Sequence, residues 1–170
     1  MRKQLFHYSQ LNSYQFVTFR TQASIDNYLL RMKDSSLDES KKQLAMDKYL
    51  DTSDKGRLLN KEVIQLIVEY CKSLEPKLYQ LICLSVMPNH LHILFEQKQN
   101  MGAIMQQLKG GLAFKINQHL NLKGNLWERN YFDKAIRDEK HLQVTYDYIK
   151  NNAYKAKLID AEKRFYSVYE

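Results

Sequence analysis

His90 and His92 stand two residues apart in the run His90-Leu91-His92-Ile93-Leu94. On a pleated strand alternate side chains share a face, so both imidazoles project to one side and Leu91, Ile93 and Phe95 to the other. Two neutral imidazoles side by side offer two nitrogen lone pairs, the beginning of a divalent-metal site. The same spacing also suits two half-exposed histidines that bind nothing, and the pair alone leaves both readings open. A nucleophile cannot be chosen by residue type, because the chain holds 12 tyrosines. Cys71 and Cys83 lack ligand spacing and read as two buried thiols in a reducing compartment.

The histidines need a strand, and the surrounding pattern supplies a sheet. Tyr14 to Arg20 alternates as a half-buried strand; Lys77 to Val86 and His90 to Glu96 read as two paired strands joined by a tight turn at Met87-Pro88-Asn89. Tyr131 to Arg137 reads as a fourth strand. Val63, Ile64, Ile67 and Tyr70 or Cys71 fall at helical spacing behind Asn60, a candidate cap. Ile104, Met105, Leu108, Leu112, Ile116 and Leu120 mark an amphipathic helix over Gly102 to Asn121, weakened at Gly110-Gly111. Asp138 can cap a last helix from about Glu139 to Ala153. Thr21 to Asn60 is polar, with helical fragments around Ile25 to Met32 and Ser40 to Tyr49. The order β-α-β-β-α-β-α predicts an α+β fold of the ferredoxin-like split βαβ type: an antiparallel sheet, helices on one face, and an additional C-terminal helix. Residues 1–170 are expected to form one domain with a helical insertion at about 21–60.

Twenty-six Lys and Arg against 19 Asp and Glu give a formal charge of +7 among 170 residues, a balance that favours a polyanionic partner. Met1 to Phe16 has no apolar core of signal-peptide length, and Leu81 to Met87, the most apolar run, is too short to cross a bilayer. A cytoplasmic, nucleoid-associated protein without a membrane partner is expected.

Val86-Met87-Pro88-Asn89-His90-Leu91-His92-Ile93-Leu94 resembles the His-hydrophobic-His block of the REP-associated tyrosine transposases, single-tyrosine relatives of small insertion-sequence transposases. A second block is similar in order and spacing: Leu126-Trp127-Glu128-Arg129, Phe132-Asp133, Ile136-Arg137-Asp138-Glu139, then Tyr148-Ile149 and Asn152. Phe16-Val17-Thr18-Phe19-Arg20 is a looser third match. The resemblance spans about Tyr14 to Leu158. It implies a Mg²⁺ or Mn²⁺ ion held by His90, His92 and Asn152, with Tyr148 as nucleophile on the last helix. It implies cleavage and strand transfer on single-stranded DNA bearing hairpins, through a 5′-phosphotyrosine bond.

Residue periodicity agrees with that assignment. Tyr148 and Asn152 are an i, i+4 pair on one helix face. Leu142, Tyr146, Ile149 and Ala153 form the apolar stripe, so Tyr146 is expected in the core and Tyr148 free to face the site. A phenol, with its usual pKa near 10, needs a cation nearby to act as a nucleophile at neutral pH. His141, about two turns or roughly 10 Å from Tyr148 along the axis, His119 and His7 read as structural or surface residues.

Candidate DNA contacts are Lys109, Lys115, Trp127, Arg129 and Arg137, through phosphate pairing or base stacking. Each has a structural alternative: a core tryptophan between helix and strand, and a solvated charged face for the cations. The family usually follows its tyrosine helix with Asn-Pro-Val-Lys-Ala-Gly. Here the chain reads Asn152-Ala153-Tyr154-Lys155-Ala156-Lys157; without proline and glycine the helix is expected to run further. The main alternative function is a catalytically silent single-stranded DNA-binding protein derived from a transposase; another is a metal hydrolase using an activated water. A homodimer is left open.

Overall fold

The structure, a computed structural model, describes residues 11–170; His7 lies outside them. Five antiparallel strands form one sheet: β1 (Tyr14–Arg20), β2 (Tyr79–Val86), β3 (His90–Gln97), β4 (Phe132–Ala135) and β5 (Phe165–Ser167), in the order β4-β1-β3-β2-β5. The first four strands carry the split βαβ order that the sequence predicts, in an α+β fold. The added β5 pairs with the free edge of β2, Ser85 opposite Phe165 and Cys83 opposite Ser167. Its three residues are too few to show a period in the sequence.

Helices α3 (Glu62–Ser73) and α4 (Met101–Leu120) cover one face of the sheet. Val17, Phe19, Leu91, Ile93 and Phe95 pack there against Ile64, Ile67, Leu108 and Leu112. Helix α5 (Glu139–Lys155) covers the opposite face, where Leu94, Ile82, Cys83 and Ile149 make a second cluster with Phe16 and Tyr148 at its margin. The two helices of the split βαβ unit thus share one face as expected, and the additional C-terminal helix takes the other. Covering both faces explains why β2 and β3 are buried almost end to end and read as near-continuous apolar runs. A bulge between Leu81 and Cys83 shifts the β2–β3 register, and Ile82 and Cys83 both join the α5 side.

Between β1 and α3 lie α1 (Asn27–Lys33) and α2 (Glu39–Thr52), capped by Asp26 and Asp38 through bonds to the backbone N–H groups of Leu29 and Lys41. Leu29, Met46 and Leu50 make their shared core. Helix α4 runs straight through Gly110-Gly111. A β-carbon on Gly111 would fall 1.7 Å from Tyr70 Oη, so this glycine makes room for a ring from α3. Asn60 is not the cap of α3: Lys61 holds that place at φ 54° without a side-chain bond, while Asn60 donates to Arg57 O and accepts from Arg164 Nη2 at 2.7 Å. Asp138 caps α5, accepting from the His141 N–H at 2.7 Å. No helix among the described residues is long and apolar enough to cross a membrane.

Candidate active site and metal centre

His90 and His92 open the β3 strand and point to the face that also carries Thr18 and Arg20 of β1; the register sets Thr18 opposite His92 and Arg20 opposite His90. Both rings are fully buried, not half-exposed. Each has its Nδ1 anchored: His90 Nδ1 lies 2.8 Å from Asn89 Oδ1, and His92 Nδ1 2.7 Å from Thr18 Oγ1. An amide oxygen only accepts, so His90 carries its hydrogen on Nδ1 and leaves Nε2 as a lone pair. The Nε2 atoms of both rings are buried with no partner among the described residues, an arrangement that costs stability unless something binds there.

What faces them is α2. Asp47 Oδ2 lies 3.9 Å from His92 Nε2, and Asp51 Oδ1 lies 3.9 Å from His90 Nε2. Asp47, His90 and His92 bring three ligand atoms within 4.8 Å of one another and can together hold a metal ion. Neither aspartate was singled out in the sequence. An i, i+4 pair of acids in a polar helix resembles any solvated charged face; only the tertiary docking of α2 sets it apart.

Arg20 fixes that docking. Its guanidinium donates to Gln43 Oε1 at 3.1 Å and meets Glu128 Oε2 at 3.2 Å; Gln43 in turn donates to Asp47 Oδ1 at 2.8 Å. Glu128, which also pairs with Lys33, comes from the Leu126-Trp127-Glu128-Arg129 block. That block thus ties α1 and β1 together beneath the site. Asn89 Nδ2 donates to Leu50 O at 3.0 Å, linking the end of α2 to the residue that orients His90.

Tyr148, on α5, donates its hydroxyl hydrogen to Asp47 Oδ2 at 2.8 Å, and its ring lies 5.4 Å from that of His92. Asn152, one turn on, is buried, and its Oδ1 has no partner among the described residues; its amide beside the Tyr148 hydroxyl favours the phenolate. Tyr146 points elsewhere. It is half-buried rather than in the core, bonded to Ser167 Oγ at 2.7 Å and set against Phe165. The strand β5 that receives it was invisible to the stripe argument.

The electrostatics follow from burial. Burial, aided by Arg20, pushes His92 down to about 3; burial, His92 and Arg20 hold His90 well below its usual range. Both rings are neutral at pH 7, the form a metal requires. Burial raises Asp47 to about 6, against the pull of Arg20 and the hydrogen bonds from Tyr148 and Gln43. Burial and the charge of Asp47 raise Asp51 to about 7. Burial, then Asp47, pushes the Tyr148 phenol well above its ordinary value. A cation bound among these groups would reverse the carboxylate and phenol shifts together.

The remaining sequence candidates lie elsewhere. Trp127 takes the core alternative: it is buried, edge-on to Phe19 with ring centroids 4.7 Å apart, and donates Nε1–H to Lys109 O. Lys109 Nζ is occupied by the carbonyls of Glu128 and Arg129 at 2.6 and 3.2 Å, and burial lowers it to about 8. Such a lysine shapes its loop rather than reaching into solvent. Arg129 is exposed and lines, with Lys109, Gln106 and Tyr131, a cavity of about 290 Å³. Lys115 is exposed over the Tyr70 ring, and Arg137 is exposed where β4 leads into α5. None of the five joins the histidine–aspartate–tyrosine cluster through a bond described above.

The structure is similar to that of the REP-associated tyrosine transposase bound to a REP hairpin, at a TM-score of 0.54 and 16% identity, covering 93% of this chain and 76% of that one. It is also similar to a candidate transposase from Deinococcus radiodurans, at a TM-score of 0.50 and 17% identity, covering 89% and 98% of the two chains. At such identities the likeness concerns the fold. An uncharacterized protein of Haemophilus influenzae is 31% identical over 91 residues, 39% of this chain; the match spans 50% of that relative's length. The family model described as "Transposase IS200 like" matches residues 45–152, a span that opens just before Asp47 and ends on Asn152. It covers more than half of the chain and every residue of the cluster, and on that ground the chain belongs to the IS200-like transposase family.

Proposed function

We propose that the protein is a divalent-metal-dependent single-stranded DNA endonuclease and strand transferase, with Tyr148 as nucleophile and hairpin-bearing DNA as substrate. The observation that carries this reading is the convergence of a tyrosine hydroxyl, two neutral imidazole lone pairs and a carboxylate in one buried cluster. The donor set fits a divalent ion: His90 and His92 supply nitrogen, Asp47 and Asn152 oxygen. Such mixed ligation suits Mn²⁺ or Mg²⁺, histidine shifting the preference toward Mn²⁺. When bound, the ion would polarise a non-bridging phosphate oxygen and favour the phenolate.

The chain's own groups do the rest. Asp47, already accepting the Tyr148 hydrogen, orients the phenolic oxygen and can take up its proton. The Tyr148 oxygen attacks phosphorus in line, the bond to the 3′ oxygen breaks, and that oxygen leaves as a hydroxyl after gaining a proton. One phosphodiester is exchanged for another, so the step is reversible and the 3′-hydroxyl of a second strand can rejoin. The relative bound to a REP hairpin supports hairpin DNA as the partner class.

The test is incubation with end-labelled single-stranded hairpin oligonucleotides and Mn²⁺. The expected result is a denaturation-resistant protein–DNA adduct, absent with excess chelator and absent in Tyr148→Phe. Binding without any adduct would leave the silent DNA-binding alternative, and cleavage without an adduct would point to a water nucleophile.

A further inference from the structure

Asp51 stands in the last turn of α2, a helix with no basic residue in that turn. A carboxylate there faces the negative end of the helix dipole and is unfavourable unless a cation is near. Its Oδ1 is nonetheless buried, and it points at His90 Nε2, also buried, 3.9 Å away; neither atom has a hydrogen-bond partner among the described residues. That separation exceeds a hydrogen bond. It fits two donors at a wide angle on one cation, each at about 2.0–2.2 Å.

The spacing repeats across the site. His90 and His92, two apart on a strand, are separated by about 6.6 Å of rise, and Asp47 and Asp51, four apart on a helix, by about 6 Å. The two pairs therefore face each other in register, Asp47 at His92 and Asp51 at His90. The aspartates differ in what else they hold. Both oxygens of Asp47 are engaged, by Gln43 and by Tyr148, whereas Asp51 Oδ1 has no hydrogen-bond partner among the described residues.

Asp47 alone stands within 4.8 Å of both histidines, while Asp51 is near His90 only; resting on the metal-dependent reading above, we infer that Asp51 turns inward to become a further ligand of the divalent cation held by His90 and His92, making α2 a metal-binding arm. Two carboxylates with two neutral imidazoles match the charge of a divalent ion inside a buried site. Asp51 can give its oxygen to the ion while Asp47 keeps hold of the nucleophile. Ion binding then clamps α2 onto β3, so the ion assembles the site as well as serving it.

Calorimetric titration of the full chain with Mn²⁺ tests this. One ion per chain is expected, with affinity at least about tenfold weaker in Asp51→Asn and restored to within about threefold in Asp51→Glu. Far-UV circular dichroism checks that the variants are folded. Affinity of Asp51→Asn within twofold of the unaltered chain, or two ions per chain, overturns the assignment. Hydrogen exchange on the unaltered chain gives an independent reading: amides of Asp47 to Thr52 should exchange at least about tenfold more slowly with Mn²⁺, and equal exchange overturns the clamp. His92→Ala separates the two levels of the argument. If it loses Mn²⁺ while Asp51→Asn does not, only the Asp51 assignment falls; if it binds normally, the metal-dependent reading falls as well.

Discussion

Tyr148 of the last helix and Asp47 of α2, 101 positions apart in the chain, share one hydrogen bond of 2.8 Å, with the tyrosine donating. The bond sets the tyrosine oxygen at the mouth of the histidine pair, and it separates Tyr148 from Tyr146, whose hydroxyl goes to Ser167 at the far edge of the sheet. Tyr148→Phe removes the oxygen and leaves the ring among Phe16 and His92. It should form no adduct, keep DNA binding, and lose about 1–3 kcal/mol at neutral pH from the broken bond to a carboxylate. Tyr146→Phe should still form the adduct. Mass spectrometry of the trapped species decides, and DNA found on Tyr146 would show that the wrong oxygen has been named.

The tautomer anchors give a second prediction. Thr18→Val keeps the shape of β1 and removes the oxygen 2.7 Å from His92 Nδ1. Losing such an outer partner typically weakens a metal site about 10–100-fold. Mn²⁺ titration should show that loss, and the apo protein, with His92 Nδ1 left buried and unpaired, should lose about 1–3 kcal/mol of stability. An unchanged affinity would mean that Thr18 does not orient the ring.

Metal-free stability should depend on pH in an unusual way. His90 and His92 have folded pKa values far below the unfolded 6.5, so the unfolded chain binds more protons and stability rises toward pH 6.5. Asp47 and Asp51 are raised from 3.8 to about 6 and about 7, so the folded chain binds more protons and stability falls above pH 4. Between about pH 4 and 6 the two pairs oppose each other, and unfolding free energy in chelator should be nearly flat. In Asp47→Asn/Asp51→Asn only the histidines remain, and stability should climb by up to about 2.7 kcal/mol per pH unit, two protons' worth. Urea unfolding at pH 4.5, 5.5 and 6.0 measures both slopes. A steep rise in the unaltered chain would show the aspartates ionised throughout.

These experiments use residues of unequal visibility in the sequence. His90, His92, Tyr148 and Asn152 could be read because strand alternation and helix spacing are local, and because the surrounding blocks resemble a known family. The four central strands were legible for the same reason. Asp47 and Asp51 were not, since their meaning depends on Arg20, Gln43 and Asn89 holding α2 against β3, a relation between distant segments. Trp127 and Lys109 look like nucleic-acid contacts by type, yet they bond to each other's neighbourhood inside the fold. Burial, which residue type does not report, decides between those roles.

The end of α5 carries the last prediction. Without the family's proline and glycine the helix is expected to run further, and it does, through Ala153 to Lys155, with Ala156 as its cap. Lys157 takes φ 57°, the left-handed conformation in which glycine is usual. The Leu158 N–H then reaches back to Ala153 O at 3.2 Å and the Lys157 N–H to Tyr154 O at 3.0 Å, closing the helix as a glycine would. Lys157 stands where the related motif has its glycine, so the backbone keeps the turn and the side chain bears the strain. Lys157→Gly should therefore stabilise the protein by about 0.5–1 kcal/mol, since a non-glycine residue in this region costs about 1–2 kcal/mol and glycine's greater unfolded entropy returns part of that. Lys157→Ala should bring no such gain, because alanine keeps the β-carbon. Thermal melts of the three proteins decide: equal gains from glycine and alanine would assign the effect to loss of the lysine charge and remove the backbone argument.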